Sequence, residues 1–402
     1  MRNLSFWISL LLVLTIPWEA VIESPVLGSV SRIAGLALAA SWLVAVVVKG
    51  RVRAPGFFHL ALCAFVALNA ASLLWSGDPE KTMIRILTWV QLLLMSFIFW
   101  DLYTTRKAVL AALQMYVLGS YVVLGDMLFH FFTGESFYYE RFSATGTNPD
   151  DFGVVLALGI PVAAYLAVFR PADRLTAPLK VVNCAFIPAA CIGIALSGTR
   201  TALVAAVPGA LFCVAVMASL KLSSRFRVGL LLLATAIVVV PRIPDASFER
   251  LGTTRTELTG GDLNGRVRLW KEGLASFEQH PFLGVGSHMY RSVNSEGKVA
   301  HNSFLEVLVE LGAFGLILFA IIIIAAGIHV VGQPPWDRRF WLCVFAGWVI
   351  AASALSWEHR KPTWLFLNLI VASASVLHMR EDAATLPSRY TKPAWVTRTS
   401  VS

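Results

Sequence analysis

Arg141, Arg200, Arg266 and His301 each stand in a short polar segment beside an apolar run, where a guanidinium or an imidazole needs a reason. Arg141 lies in "YYERFSATGTNPDDFG", Arg200 in "SGTR", Arg266 in "LNGRVRLW" and His301 in "VAHNSFLEVLVELG". Guanidinium forks fit phosphate and carboxylate oxygens two at a time, so gathered arginines favour an anionic ligand, phosphate above all. A histidine beside them suggests removal of a proton from an incoming hydroxyl. "SFLE" (Ser303 and Glu306) reads as a capping box that starts a helix at Ser303, two residues after His301. The helix dipole disfavours imidazolium there, which leaves a neutral ring able to take a proton near pH 7. The cap accounts for Glu306. It does not account for Glu310, a turn deeper among apolar residues, where an ionisable group is a functional candidate by default.

The elements that must position these groups are membrane spans. Of the 402 residues, 57% are hydrophobic and 14% charged, with a mean hydropathy of +0.70. Soluble domains carry about 25% charge, and the deficit is global, so the chain is expected to be an all-α polytopic membrane protein forming one integral membrane domain over residues 1–402. About 20 apolar residues cross the hydrocarbon core. Twelve candidate spans are expected near 5–22, 31–49, 57–76, 83–103, 108–132, 152–170, 178–197, 201–220, 226–242, 303–331, 339–357 and 363–379, with "SGTR" dividing the longest apolar stretch. The first resembles a signal peptide but lacks a small-x-small cleavage site and reads as a retained helix. With both termini inside, the cytoplasmic segments hold 18 lysines and arginines and the short outer loops 7. The large loop 242–302 is largely exempt from that bias.

This orientation puts every residue of the opening paragraph on the outer face. The net charge of +9 is spread through short loops as topology requires, so nucleic acid is not an expected partner. Five cysteines, all within apolar runs, suggest neither a disulfide framework nor a metal site. In the large loop, Val267, Trp270, Leu274 and Phe277 share one helical face, which predicts an amphipathic helix on the outer membrane surface. Arg266 opens that helix, where backbone N–H groups also favour anions. Arg268, Lys271, Arg291 and Lys298 in the loop, and Arg360 with Lys361 in "WEHRKPTW", are spare outer cations available to a second anionic lipid. "PFLGVGS", between His280 and His288, reads as a turn and not a P-loop.

"GRVRLWKEGLASFEQHPFLGVGSHMY" followed by "AHNSFLEVLVELGAFGLILF" resembles the core signature of the O-antigen ligase and polymerase superfamily. "SGTRTALVA" and "RFSATGTNPDDFG" resemble its two upstream arginine elements, although Asp151 stands where asparagine is frequent. The resemblance covers roughly residues 140–320. It implies an inner-membrane glycosyltransferase of GT-C architecture, acting at the periplasmic side on an undecaprenyl-pyrophosphate-linked glycan donor. The ligase branch implies lipid A–core as acceptor. Carried over, His301 is the general base, with Glu310 as the other catalytic candidate, and Arg141, Arg200 and Arg266 hold the pyrophosphate. No metal or other cofactor is implied, and the transfer inverts the anomeric carbon. The rivals are a polymerase, a protein O-oligosaccharyltransferase and a lipid or solute transporter, the last of which would string its cations along an internal path.

Overall fold

A computed structural model of the chain describes residues 2–24, 28–135, 141–169, 177–223, 245–254 and 265–385, with isolated positions 225, 226, 229, 230, 237, 241 and 261. The described helices are α1 (Arg2–Thr15), α2 (Val30–Lys49), α3 (Phe57–Ala71), α4 (Pro79–Leu102), α5 (Arg106–Thr133), α6 (Pro149–Phe169), α7 (Ala177–Ser197), α8 (Arg200–Ser219), α9 (Asp245–Gly252), α10 (Arg266–Gln279), α11 (Ser303–Val331), α12 (Pro335–Ala352) and α13 (Lys361–Thr385). A two-residue antiparallel ribbon, Glu23–Ser24 with Gly28–Ser29, closes the turn before α2. Helices α2 to α8 and α11 are long and apolar enough to cross a membrane, which makes eight candidate spans, and α1 and α13 contribute shorter apolar stretches. The chain is thus an all-α, multi-pass membrane protein. Of the twelve expected spans, eight are long and apolar enough among the described residues, while α1, α12 and α13 fall short in length or apolarity. The span expected at 226–242 lies almost wholly outside the described residues.

The bundle has two halves. Helices α6, α7, α8 and α12 pack together on one side, and α1, α2, α3, α4 and α11 on the other, with α5 and α13 between them. Helix α6 is the most buried span, and small residues let its neighbours close on it. A Cβ on Gly153 would stand 2.6 Å from the Ala202 Cβ, and one on Gly159 2.7 Å from the Phe186 ring. Lipid offers little hydrophobic drive between helices, so such close approach is what holds them. This packing fixes the first turn of α6, which carries Asp150 and Asp151.

Charged groups gather at both ends. At the end bearing the α1 N-terminus, Arg2 pairs with Asp101, Arg106 grips Asp337 at 2.8 and 3.2 Å, and Arg53 lies 3.4 Å over the Trp100 ring. The other end carries 141–151, the 198–199 turn, α9, α10, 280–302 and 353–361, and every candidate site residue is there or in the helical turns that open onto it. Helix α10 forms, but its buried face is not the expected one. Leu269 and Gly273 are buried, whereas Leu274 is 45% exposed. The reason is Tyr290, whose hydroxyl bonds the Leu269 carbonyl at 2.8 Å and would meet a Cβ on Gly273 at 2.6 Å. The helix is therefore pinned by its own loop and by α11.

Candidate functional site

The 198–199 turn is the hub of the arginine cluster. Gly198 has φ +57, a left-handed conformation that glycine adopts without strain, and the chain leaves α7 and re-enters α8 within two residues. Arg141 clamps this turn. Its Nε donates to the Ser197 carbonyl at 2.8 Å, and its Nη2 to Thr199 Oγ1 at 2.8 Å and Asp150 Oδ1 at 2.6 Å. Arg266, at the start of α10, donates to the Ala354 carbonyl at 2.9 Å and lies 3.7 Å from the second Asp150 oxygen. Arg200 reaches α9, bonding the Arg250 carbonyl at 3.0 Å and Thr253 Oγ1 at 2.9 Å. The Arg250 side chain and the Ser247 hydroxyl approach the turn from α9, and that hydroxyl is buried with no hydrogen-bond partner among the described residues. Arg141 and Arg266 thus pair with one carboxylate, Asp150, and the guanidiniums of Arg250 and Arg200 crowd against that pair. Burial first, then the neighbouring arginines, hold Arg250 below the ordinary arginine range; burial does the same to Arg266, which Asp150 opposes and Arg141 and Arg200 reinforce. Crowded, half-desolvated like charge of this kind is relieved by an incoming polyanion.

His301 stands beside this cluster in a strained backbone conformation, φ +49, which is uncommon for a residue with a Cβ. Its neighbours hold it there. The Ala300 N–H donates to Glu306 at 3.2 Å, and the Ala300 carbonyl accepts Trp270 Nε1 of α10 at 2.8 Å. The helix cap is one residue earlier than expected. The Asn302 side chain, not Ser303, accepts the Phe304 and Leu305 N–H groups at 3.0 and 3.1 Å. Ser303 is diverted to the 355–357 segment, donating to the Leu355 carbonyl at 2.8 Å and accepting the Trp357 N–H at 2.7 Å. Glu306 accordingly reaches past the cap to Ala300 and to Ser356. Burial first, then the charge of Arg266, pulls the His301 pKa down to about 4, against the opposing pull of Asp150 and Asp151. The ring is neutral at pH 7, with burial as the main cause.

Glu310 lies away from the arginines and holds a fold. Its two oxygens accept the backbone N–H groups of His288 and Tyr290 at 2.8 and 3.1 Å. Two residues on, Gly312 (φ 66, ψ −166) breaks α11. The carbonyls freed at Val309 and Glu310 accept from Val285 and Gly286, and the N–H groups of Ala313 and Phe314 donate to Pro281 and Phe282. A Cβ on Gly312 would sit 2.2 Å from the Phe282 backbone. The "PFLGVGS" turn is thus inserted into a helix break, and Glu310 locks it from below.

The spare cations divide. Arg360 donates to Asp151 at 3.2 Å, beside the Trp357 indole, which donates to the other Asp151 oxygen at 2.6 Å. Lys361 binds Glu19 and Ser31. Arg268 is engaged with Glu272 and Ser295 on the outer face of α10, and Lys298 with Glu296. Lys271 and Arg291 are exposed. Sequence reasoning missed Arg250 and the counter-ion Asp150. It also missed Arg85, which meets Glu358 at 3.3 Å. "SFERLG" gives no signal for Arg250, because only the fold of α9 against α7 and α8 brings it in.

Residues 184–320 match the Wzy_C family, described as O-Antigen ligase. That interval contains Arg200, Arg266, His301 and Glu310 and excludes Arg141, Arg360 and Lys361. Over 329 residues the chain is 25% identical to the exopolysaccharide production protein ExoQ of Rhizobium meliloti (strain 1021), covering 74% of this chain and 71% of that protein. The matched family is one of glycan-transferring membrane enzymes.

Proposed function

We propose that the protein is an O-antigen ligase of the bacterial inner membrane, joining a glycan from undecaprenyl pyrophosphate to a sugar hydroxyl of lipid A–core at the periplasmic face. The observation that carries this reading is a cluster of four guanidiniums, two of them paired with the carboxylate of Asp150, with a neutral histidine beside Arg266. Arg141, Arg200, Arg250 and Arg266 receive the pyrophosphate. Arginine forks stabilise the negative charge that develops on the leaving diphosphate, the part a metal ion plays elsewhere. His301 takes the proton of the acceptor hydroxyl as its oxygen attacks the anomeric carbon. The bond from that carbon to the phosphate oxygen breaks on the opposite side, the electron pair leaves with the diphosphate, and the configuration inverts.

The two halves of the site act on one another. A pyrophosphate beside Arg266 offsets the guanidinium charge that depresses the His301 pKa, so the base strengthens when the donor is in place. A second reading, a polymerase that extends one lipid-linked glycan with another, is favoured by the exopolysaccharide role in the name of ExoQ. Purified protein given donor alone and donor with lipid A–core separates the two. Glycan appearing on lipid A–core only supports the ligase; lengthened donor formed without it supports the polymerase. EDTA is expected to leave the rate unchanged. For the orientation, a cysteine replacing Glu278 should react with an impermeant thiol reagent in intact spheroplasts, and one replacing Arg51 should not.

A further inference from the structure

A groove of about 470 Å³ runs down the bundle between α2 and α4, on the half away from the arginine cluster. Its floor is Leu38, Leu92, Met95 and Ile98, all buried, and its rim is Leu36, Ile84 and Leu87, each more than half exposed. It therefore opens sideways, towards the bilayer. At its upper end the lining turns polar, with Arg32, Arg360 and Lys361 facing Glu19 and Glu23. Arg32 is exposed and the Arg360 side chain 45% exposed. Arg360 also joins the groove to the site, since it bonds Asp151, the neighbour of the carboxylate that pairs with Arg141 and Arg266.

One feature of the wall chooses among lipids. Thr88 and Gln91 lie on it, Gln91 about two turns below Ile84. No hydrogen bond of the Gln91 side chain occurs among the described residues, and an amide facing hydrocarbon without a partner is unfavourable. A polyprenyl chain offers nothing to such a group. Acyl chains joined by esters or amides offer carbonyls at that depth, just below a phosphorylated head.

We propose that the α2–α4 groove holds the acyl anchor of the acceptor, an acylated phosphoglycolipid, with its phosphates at Arg32, Arg360 and Lys361 and its sugars directed to His301. The assignment rests on the transferase reading above, yet it can fail separately, because binding is measured without turnover. Gly35 lines the groove, and a Cβ there meets no atom within 4 Å. A photoreactive benzoylphenylalanine replacing Gly35 therefore reaches into the groove without disturbing it. The protein is placed in phosphatidylcholine nanodiscs with equal lipid A–core and undecaprenyl pyrophosphate, irradiated, and its adducts identified by mass. Lipid A–core is expected as the main adduct, falling severalfold in Arg32→Glu and in Gln91→Leu. A control probe at Val47, 75% exposed on the same helix, should capture phosphatidylcholine. Undecaprenyl pyrophosphate at Gly35 would give the groove to the donor, and phosphatidylcholine at both positions would show ordinary bilayer contact; either overturns the proposal. In the transfer assay, Gly35→Trp should raise the acceptor KM about tenfold or more and leave the donor KM unchanged. A rise in the donor KM alone would contradict the assignment.

Discussion

Two buried clusters of charge lie a short way apart at one end of the bundle, and they are built oppositely. Around Asp150 there is an excess of arginine; around Arg85 there is an excess of acid, in Glu306, Glu310 and Glu358. The acids are largely consumed by the protein, one buried oxygen of Glu358 alone accepting no hydrogen bond among the described residues of this cluster. Glu306 binds Ala300 and Ser356, Glu310 binds two backbone N–H groups, and Glu358 meets Arg85 and the His359 ring at 2.6 Å. Among the arginines, Arg266 is consumed far less. A guanidinium has five donors, and Arg266 uses one in a hydrogen bond and a second in a 3.7 Å ion pair. Buried charge that is spent on backbone holds loops in place; buried charge left with donors to spare awaits a ligand.

The largest effect should come from the residue between the clusters. His301→Ala is expected to slow transfer about 10²- to 10⁴-fold, with donor binding retained, if the ring is the general base. Next come Arg200→Lys and Arg266→Lys, which keep a charge but lose the fork. Each should lower transfer by about 10²- to 10³-fold, read as initial rates on purified protein. In the acid cluster the outcome should be one of stability. Glu310→Ala strands the His288 and Tyr290 N–H groups, at about 1 to 3 kcal/mol for each group left unsatisfied. Glu310→Gln keeps an acceptor and should melt closer to wild type with most of its activity. Transfer abolished in a Glu310→Gln variant of unchanged melting temperature would place Glu310 in the chemistry and end the contrast.

Smaller still is a displacement in pH. With a His301 pKa of about 4, the ring is neutral above that value and protonated below it. The acid limb of kcat/KM for the donor should therefore fall near pH 4 rather than near 6.5. The limb of kcat, which reports the complex, should lie at higher pH because bound pyrophosphate offsets Arg266. The smallest effect is expected at Arg268→Ala, since an exposed pair such as Arg268–Glu272 is worth about 0 to 1 kcal/mol. Acceptor KM should hardly move.

Much of this was legible in the sequence. Arg200 at the only polar break in a double-length apolar stretch, Arg266 at a helix start and His301 before another are positions that local pattern fixes, and the structure brings Arg200 and Arg266 into one cluster with His301 at its edge. What escaped is what tertiary folding decides. Glu310 reads as a misplaced acid until the 282–290 turn, some twenty residues earlier, folds back upon it. The Asn302 cap was hidden because Ser303 fits the same local rule and differs only in being claimed by 355–357. The buried face of α10 follows Tyr290, which lies outside the helix and beyond the reach of its periodicity.

Donor binding separates the work of the arginines from that of His301. Undecaprenyl pyrophosphate is titrated into purified wild type, His301→Ala and Arg266→Lys in the absence of acceptor. Wild type and His301→Ala should bind with equal affinity, and Arg266→Lys clearly more weakly. Undiminished binding by Arg266→Lys, or its loss in His301→Ala, would contradict this division between donor binding and proton removal.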